Sequence, residues 1–373
     1  MLLLVGIYIN VNQVSAQTDT VGNPPSNEKL PRLFAAGLGV QHGFIFPHSK
    51  EVQNTKGARP TGVEFNLNWQ SNDAPTWNLC HCYPRQGLLL AFYDYDIAIL
   101  GKGVAAAYLL EPTYRISNST FVSLKGAAGL AYLSNPFDSI QNPTNQSYST
   151  AVSGYLLFGV GAWYQFREHW WLNASANYQH VSNGGMKKPN KGINWPTFGL
   201  TLVYQPELRA YYSGVRTREK FWRNYSPRWD ISVLGSAKRG LNKNNNRVRS
   251  PLLGIAVQGA KQVGRISTIT LGTEVYHDEE LRHELNNAGI GTNPVKAGVM
   301  LGHEFILGKF LFSQRLGYYL FNPEPNFEHL FHRWGLHYRI NQHFGFGFNL
   351  LAHSEVADFI DLRIAYSFQK FGR

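Results

Sequence analysis

The sequence predicts an all-β chain, an antiparallel transmembrane β-barrel of the bacterial outer membrane with about 14–16 strands. Three observations predict it. Apolar and polar residues alternate along most of the chain, charged residues make up only 16% while aromatics reach 14%, and no run of apolar residues is long enough for a spanning helix. Mean hydropathy is −0.27, too polar for a bundle of membrane helices. A barrel resolves the conflict, because only every second residue of a strand meets lipid.

Taken in order, residues 1–16 read as a signal peptide, with Leu2–Ile9 as the apolar core and Val14-Ser15-Ala16 as the cleavage site. Residues 17–30 read as a polar leader, and 31–373 as the barrel. Strands are expected at 32–46, 61–69, 86–96, 102–115, 119–133, 150–166, 169–182, 194–205, 228–238, 251–262, 265–277, 295–307, 309–321, 331–340, 342–353 and 358–368. The alternation is plain at Val63, Phe65, Leu67 and Trp69 against Glu64, Asn66 and Asn68. It is equally plain at Trp170, Leu172, Ala174, Ala176 and Tyr178 against Asn173, Ser175 and Asn177. Connections alternate short and long, which puts the long polar ones at 134–149, 183–193, 239–250 and 278–294 outside the cell. Two segments, 70–85 and 206–227, are long where short turns are expected.

Gly161-x-x-Tyr164-x-x-x-x-His169 recurs as Gly335-x-x-Tyr338-x-x-x-x-His343. Either an eight-strand half has been duplicated or two hairpins are alike by chance, so two tandem eight-strand barrels are the alternative architecture. Cys80 and Cys82 are too close for a disulfide framework and read as a local bridge or free thiols rather than a metal site. The formal net charge of +11 suits phosphorylated lipid headgroups. Nucleic acid also takes such an excess, but it is not an expected partner of a membrane barrel.

The informative stretch is His180-Val181-Ser182-Asn183-Gly184-Gly185, followed by Met186–Asn194. A serine hydroxyl becomes a nucleophile when a base takes its proton. Residues i and i+2 of a strand share a face, so His180 and Ser182 are neighbours. Their parity is that of Trp170, Leu172 and Tyr178, which places both on the lipid-facing wall. Asn194 has the parity of Phe198, Leu200 and Leu202 on the returning strand and lies near the same rim. Polar groups exposed to lipid are costly and call for an explanation. Catalysis is one, with Ser182, His180 and Asn194 as the catalytic set and the amides of Asn183 and Gly184 as the oxyanion hole. A polar collar at the membrane interface is the other.

The hairpin 169–205 resembles the active-site hairpin of the PagL-like lipid A 3-O-deacylases (acyloxyacyl hydrolases). They share His-x-Ser-Asn, a turn of small residues and a Lys/Pro/Asn/Gly segment like Met186–Ile193. The resemblance implies Ser182 as nucleophile, His180 as base and no cofactor. It departs at Asn194, where that family has Glu, and in length, since the known deacylase barrel has eight strands. The same hairpin resembles outer-membrane phospholipase A, which carries an Asn twelve residues after its serine and implies calcium and dimerisation. The deacylase resemblance is the closer one, because Met186–Ile193 matches its turn.

Lys187, Lys188 and Lys191 flank the nucleophile and are candidates for binding the phosphates of lipid A or of a phospholipid. Lys238, Arg239, Lys243, Arg247 and Arg249 form a second basic group on an external loop. His277, Asp278, Glu279, Glu280, His283 and Glu284 read as a solvated loop rather than a cation site. His353 has lumen parity. The rival to an enzyme is a porin or structural barrel, with an incidental His-Ser pair and function in the lumen.

Overall fold

The structure, a computed structural model, describes residues 29–369 except 209–210, 213, 215–218, 242–246, 325–326 and 355. The signal peptide and most of the polar leader lie outside the described residues. So does Lys243.

Backbone amides and carbonyls have no water to bond in a bilayer, so a spanning sheet must close on itself. This chain closes twice. Strands β1 (Leu33–Gly43), β2 (Thr61–Gln70), β3 (Tyr83–Asp94), β4 (Lys102–Arg115), β5 (Thr120–Leu133), β6 (Val152–Arg167), β7 (Trp170–Ser182) and β8 (Ile193–Tyr204) form one closed antiparallel barrel. Strands β9 (Arg228–Leu241), β10 (Arg247–Gln262), β11 (Ser267–Asp278), β12 (Val295–Leu307), β13 (Phe310–Phe321), β14 (Leu330–Arg339), β15 (Phe344–His353) and β16 (Val356–Gln369) form a second. The sixteen strands therefore make two eight-strand barrels, not one barrel over 31–373. The reason is pairing: β8 returns to β1, with Leu38 opposite Leu202, and β16 returns to β9, with Ile364 opposite Val233. None of the described helices is long and apolar enough to cross a membrane.

The two unexpectedly long segments find their places. Residues 206–227 connect the barrels. Residues 70–85 hold α1 (Ala74–Cys80), capped by Asp73, and the Cys80–Cys82 disulfide. The recurring motif is also structural. His169 Nδ1 bonds the Gln205 carbonyl at 2.9 Å, and His343 Nδ1 bonds the Ser367 carbonyl at 3.1 Å, each after the sixth strand of its barrel.

Alternation sorts each strand into a wall face and a lumen face. On β7 the residues Trp171, Asn173, Ser175, Asn177, Gln179 and Val181 are buried inside. On the wall, Leu38, Phe198, Leu253 and Ile364 stand exposed, as lipid contact requires. The lumens are filled by paired polar side chains. In the first barrel Lys125 meets Glu64 at 2.8 Å. In the second, Arg333 and Arg363 meet Glu274 at 2.7 and 2.9 Å, and both also pair with Asp361. Near the rim of the first barrel the lumen is apolar instead, with Tyr93, Tyr95, Tyr155, Val181 and Trp195 packed together. That cluster backs the wall on which the site stands.

The two barrels touch through their walls. Tyr108 on β4 lies 5.4 Å from Phe310, and Phe158 on β6 lies 5.6 Å from Phe312, ring centre to ring centre.

Glu274→Ala leaves Arg333 and Arg363 buried with half their partners. We expect it to destabilise the second barrel by about 3–5 kcal/mol, the cost of orphaning a buried charge. Urea unfolding followed by loss of heat-modifiable migration measures it.

Candidate active site

The fourth hairpin builds the site. β7 and β8 pair with His180 directly opposite Asn194 and Val181 opposite Ile193. Gln179 and Val181 are fully buried in the lumen, so the alternate residues His180 and Ser182 face outward. His180 Nε2 lies 2.9 Å from Ser182 Oγ, and His180 Nδ1 lies 2.6 Å from Asn194 Oδ1. The three polar residues of the wall thus form one hydrogen-bonded line.

The line has a fourth member. Asn194 Nδ2 lies 2.8 Å from His48 Nδ1. The amide can donate only through its nitrogen, so His48 accepts there and fixes which way the Asn194 side chain points. Its oxygen then faces His180 and accepts a hydrogen bond from Nδ1–H, which leaves the Nε2 lone pair directed at the Ser182 hydroxyl. His48 reaches this place because the chain after β1 runs on beside β8: the Phe46 amide bonds the Asn194 carbonyl at 2.8 Å. Nothing in the sequence near His48 announces it, since the partners lie 146 residues apart.

The turn after Ser182 is held from within. Asn183 Nδ2 donates to the Lys187 carbonyl at 2.8 Å, and the Ser149 hydroxyl donates to the same carbonyl at 2.7 Å. Gly184 and Gly185 adopt positive φ, +62° and +82°, which a side chain would strain. Gly192, also at positive φ, lies close beside the His180 ring.

One expectation is corrected here. The Asn183 amide donates to Asn190 Oδ1 at 2.9 Å and so is not free for an oxyanion. No hydrogen bond joins the Gly184 amide to any described residue. Asn190 Nδ2 is buried without a partner among the described residues. Sequence reasoning missed Asn190 because an asparagine in a Lys/Pro/Asn/Gly turn looks like turn chemistry.

The flanking lysines differ. Lys191 pairs with Glu51 at 3.1 Å, tying the 3-10 turn Lys50–Thr55 to the site. The Glu51 carboxyl is held down at about 2, first by its own backbone amide, then by Ser49 and Lys191. It therefore stays charged, and the tie persists, until strongly acid pH. Lys188 is exposed and Lys187 half-buried.

The remaining candidates fall elsewhere. His353 bonds the Tyr319 hydroxyl at 3.0 Å in the second lumen. Asp278 caps α2 (Glu279–Asn287), and Lys238 turns inward to Asp278 and Asp358 at 2.8 and 2.9 Å rather than joining an external basic group. Among the described residues no cluster of His, Cys, Asp and Glu is arranged to hold a metal.

Two family models together match most of the chain. Residues 59–204 match lipid A 3-O-deacylase (PagL), and residues 227–370 match the acyloxyacyl hydrolase C-terminal domain. The chain belongs to the PagL family. It is thus an outer-membrane protein of a family of lipid A deacylases; the first matched region spans β2–β8 of the first barrel and the second spans β9–β16. Among solved structures, the outer membrane enzyme PagL is 15% identical, covering 44% of this chain and 97% of its own, with a TM-score of 0.33. Neisserial surface protein A is 13% identical over 46% of this chain and 96% of its own, TM-score 0.33. The P. putida toluene transporter TodX is 11% identical over 93% and 92%, TM-score 0.19. No curated protein matches.

His48→Ala removes the acceptor that orients Asn194. Turnover of an ester substrate should fall roughly tenfold, about 1.4 kcal/mol of barrier. His48→Gln, whose amide oxygen can accept in its place, should keep most of the rate. Steady-state kinetics on purified protein distinguish the three forms.

Proposed function

We propose that the first barrel removes an ester-linked acyl chain from lipid A by serine catalysis on its lipid-facing wall. The observation that carries this reading is the line from Ser182 through His180 to Asn194, set among lipid-facing residues. Ser182 Oγ attacks the acyl carbonyl as its proton passes to His180 Nε2. The tetrahedral oxyanion is met by the Gly184 amide and by Asn190 Nδ2, two donors with no hydrogen-bond partner among the described residues. Collapse releases the sugar hydroxyl, which takes the proton back from His180. Water, deprotonated in turn by His180, then frees the fatty acid and restores the serine.

The wall below the site suits an acyl chain. Ala176 and Ala174 follow Tyr178 outward-facing down β7, and with Val160, Ala162, Leu124 and Phe198 they line an apolar groove. A chain attached at Ser182 lies along it without leaving the bilayer. Lys187 and Lys188, beside the nucleophile, suit the phosphates of lipid A. No cofactor enters this chemistry.

Asn194 favours a second reading. An amide orients the imidazole but does not neutralise the imidazolium as a carboxylate does. Calcium-dependent phospholipase A has asparagine at this place, and its substrate is a glycerophospholipid.

Ser182→Ala and His180→Ala should leave folded barrels with turnover reduced by roughly a thousandfold or more, since such residues act as a unit. Asn194→Ala should cost less, and Asn194→Glu should stay active on lipid A. Assays of the purified chain on lipid A and on phospholipid, with and without a chelator, separate the readings. Calcium-dependent phospholipid cleavage with lipid A untouched reverses the choice of substrate.

A further inference from the structure

We infer that the second barrel is a positioning element for the first barrel's catalytic turn, and that Ile360 is the residue through which it acts. The inference rests on the serine mechanism above. Ile360 stands on β16 between Phe359 and Asp361, both buried in the second lumen, so it points outward. The next outward residues, Leu362 and Ile364, are 55% and 68% exposed. Ile360 is half-buried because something covers it. That cover is the Gly184–Gly185 turn. A Cβ on Gly184 would collide with the Ile360 side chain, and one on Gly185 with the Asp358 carbonyl.

The β16 segment that meets the turn is itself fixed. The Ser236 hydroxyl donates to the Ile360 carbonyl at 2.6 Å, and Lys238 holds the Asp358 carboxylate at 2.9 Å. Farther along the wall, Phe158 packs on Phe312, and Phe158 is the next outward residue on β6 after Leu156, the direct partner of His180. The second barrel therefore flanks the site at two heights.

The turn needs such a support. Two consecutive glycines at positive φ have wide conformational freedom, and neither amide is tied by a hydrogen bond to a described residue. Oxyanion donors stabilise a transition state only when their direction is set beforehand. The second barrel has no such motif of its own. Counted from the matching histidines, Ser354 and Val356 stand where His180 and Ser182 stand in the first barrel. Its contribution goes to its neighbour's site.

The test uses the full-length chain in nanodiscs, as wild type, Ile360→Ala and Ile360→Val. Amide hydrogen exchange across residues 183–187 reports the turn, and kcat and KM on lipid A report its consequence. Ile360→Ala should speed exchange in the turn about tenfold or more while β7 below Gln179 stays protected. It should lower kcat about tenfold with KM within about twofold. Ile360→Val should recover most of both. Unchanged exchange, or unchanged kcat, in Ile360→Ala overturns the proposal. A wild type that leaves lipid A intact, with exchange still raised by Ile360→Ala, would instead defeat the substrate reading and leave the clamp standing.

Discussion

Everything in this molecule depends on closing the backbone hydrogen bonds of a sheet inside a bilayer. A strand left with a bare edge in lipid costs several kcal/mol for each unpaired group. The chain meets that demand by joining β8 to β1 and β16 to β9. The first of these joins also assembles the site. It carries the segment after β1 alongside β8, where His48 meets Asn194. Closure therefore fixes both the wall and the direction of the asparagine amide that orients His180.

The same alternation that keeps the wall apolar makes a polar line on it conspicuous. Trp171, Gln179 and Val181 occupy the lumen, so His180 and Ser182 have no interior to retreat to. Their polar atoms are satisfied by one another and by Asn194. Behind them the wall is stiff, since Tyr93, Tyr155 and Trp195 fill the rim of the lumen. With Ser182 as the proposed nucleophile facing lipid, no tunnel for an acyl chain is needed, because such a substrate is already in the solvent that the wall meets.

What the sequence made legible follows from what is periodic. The strands, their inward and outward faces and the pairing of His180, Ser182 and Asn194 can be read from a two-residue period and one hairpin. Closure cannot, because alternation says which face a residue takes and not which strand lies beside it. The repeat at Gly161 and Gly335 and the length of the chain point to two barrels, and the long segment 206–227 is the place to divide them. His48 and Ile360 were invisible because each reaches the site through closure or packing across more than a hundred residues. The Asn183 amide looks free in the sequence because nothing there shows that Asn190, seven residues on, folds back to accept from it.

The central proposal is that Ser182 acts from the wall on a lipid in the same leaflet. Mass spectrometry of lipid A from outer membranes holding the wild-type chain or Ser182→Ala, at equal levels of folded protein, tests this most directly. The account predicts lipid A lighter by one ester-linked acyl chain with the wild type and intact with the variant. Intact lipid A in both membranes, or equal loss of the chain in both, would contradict it.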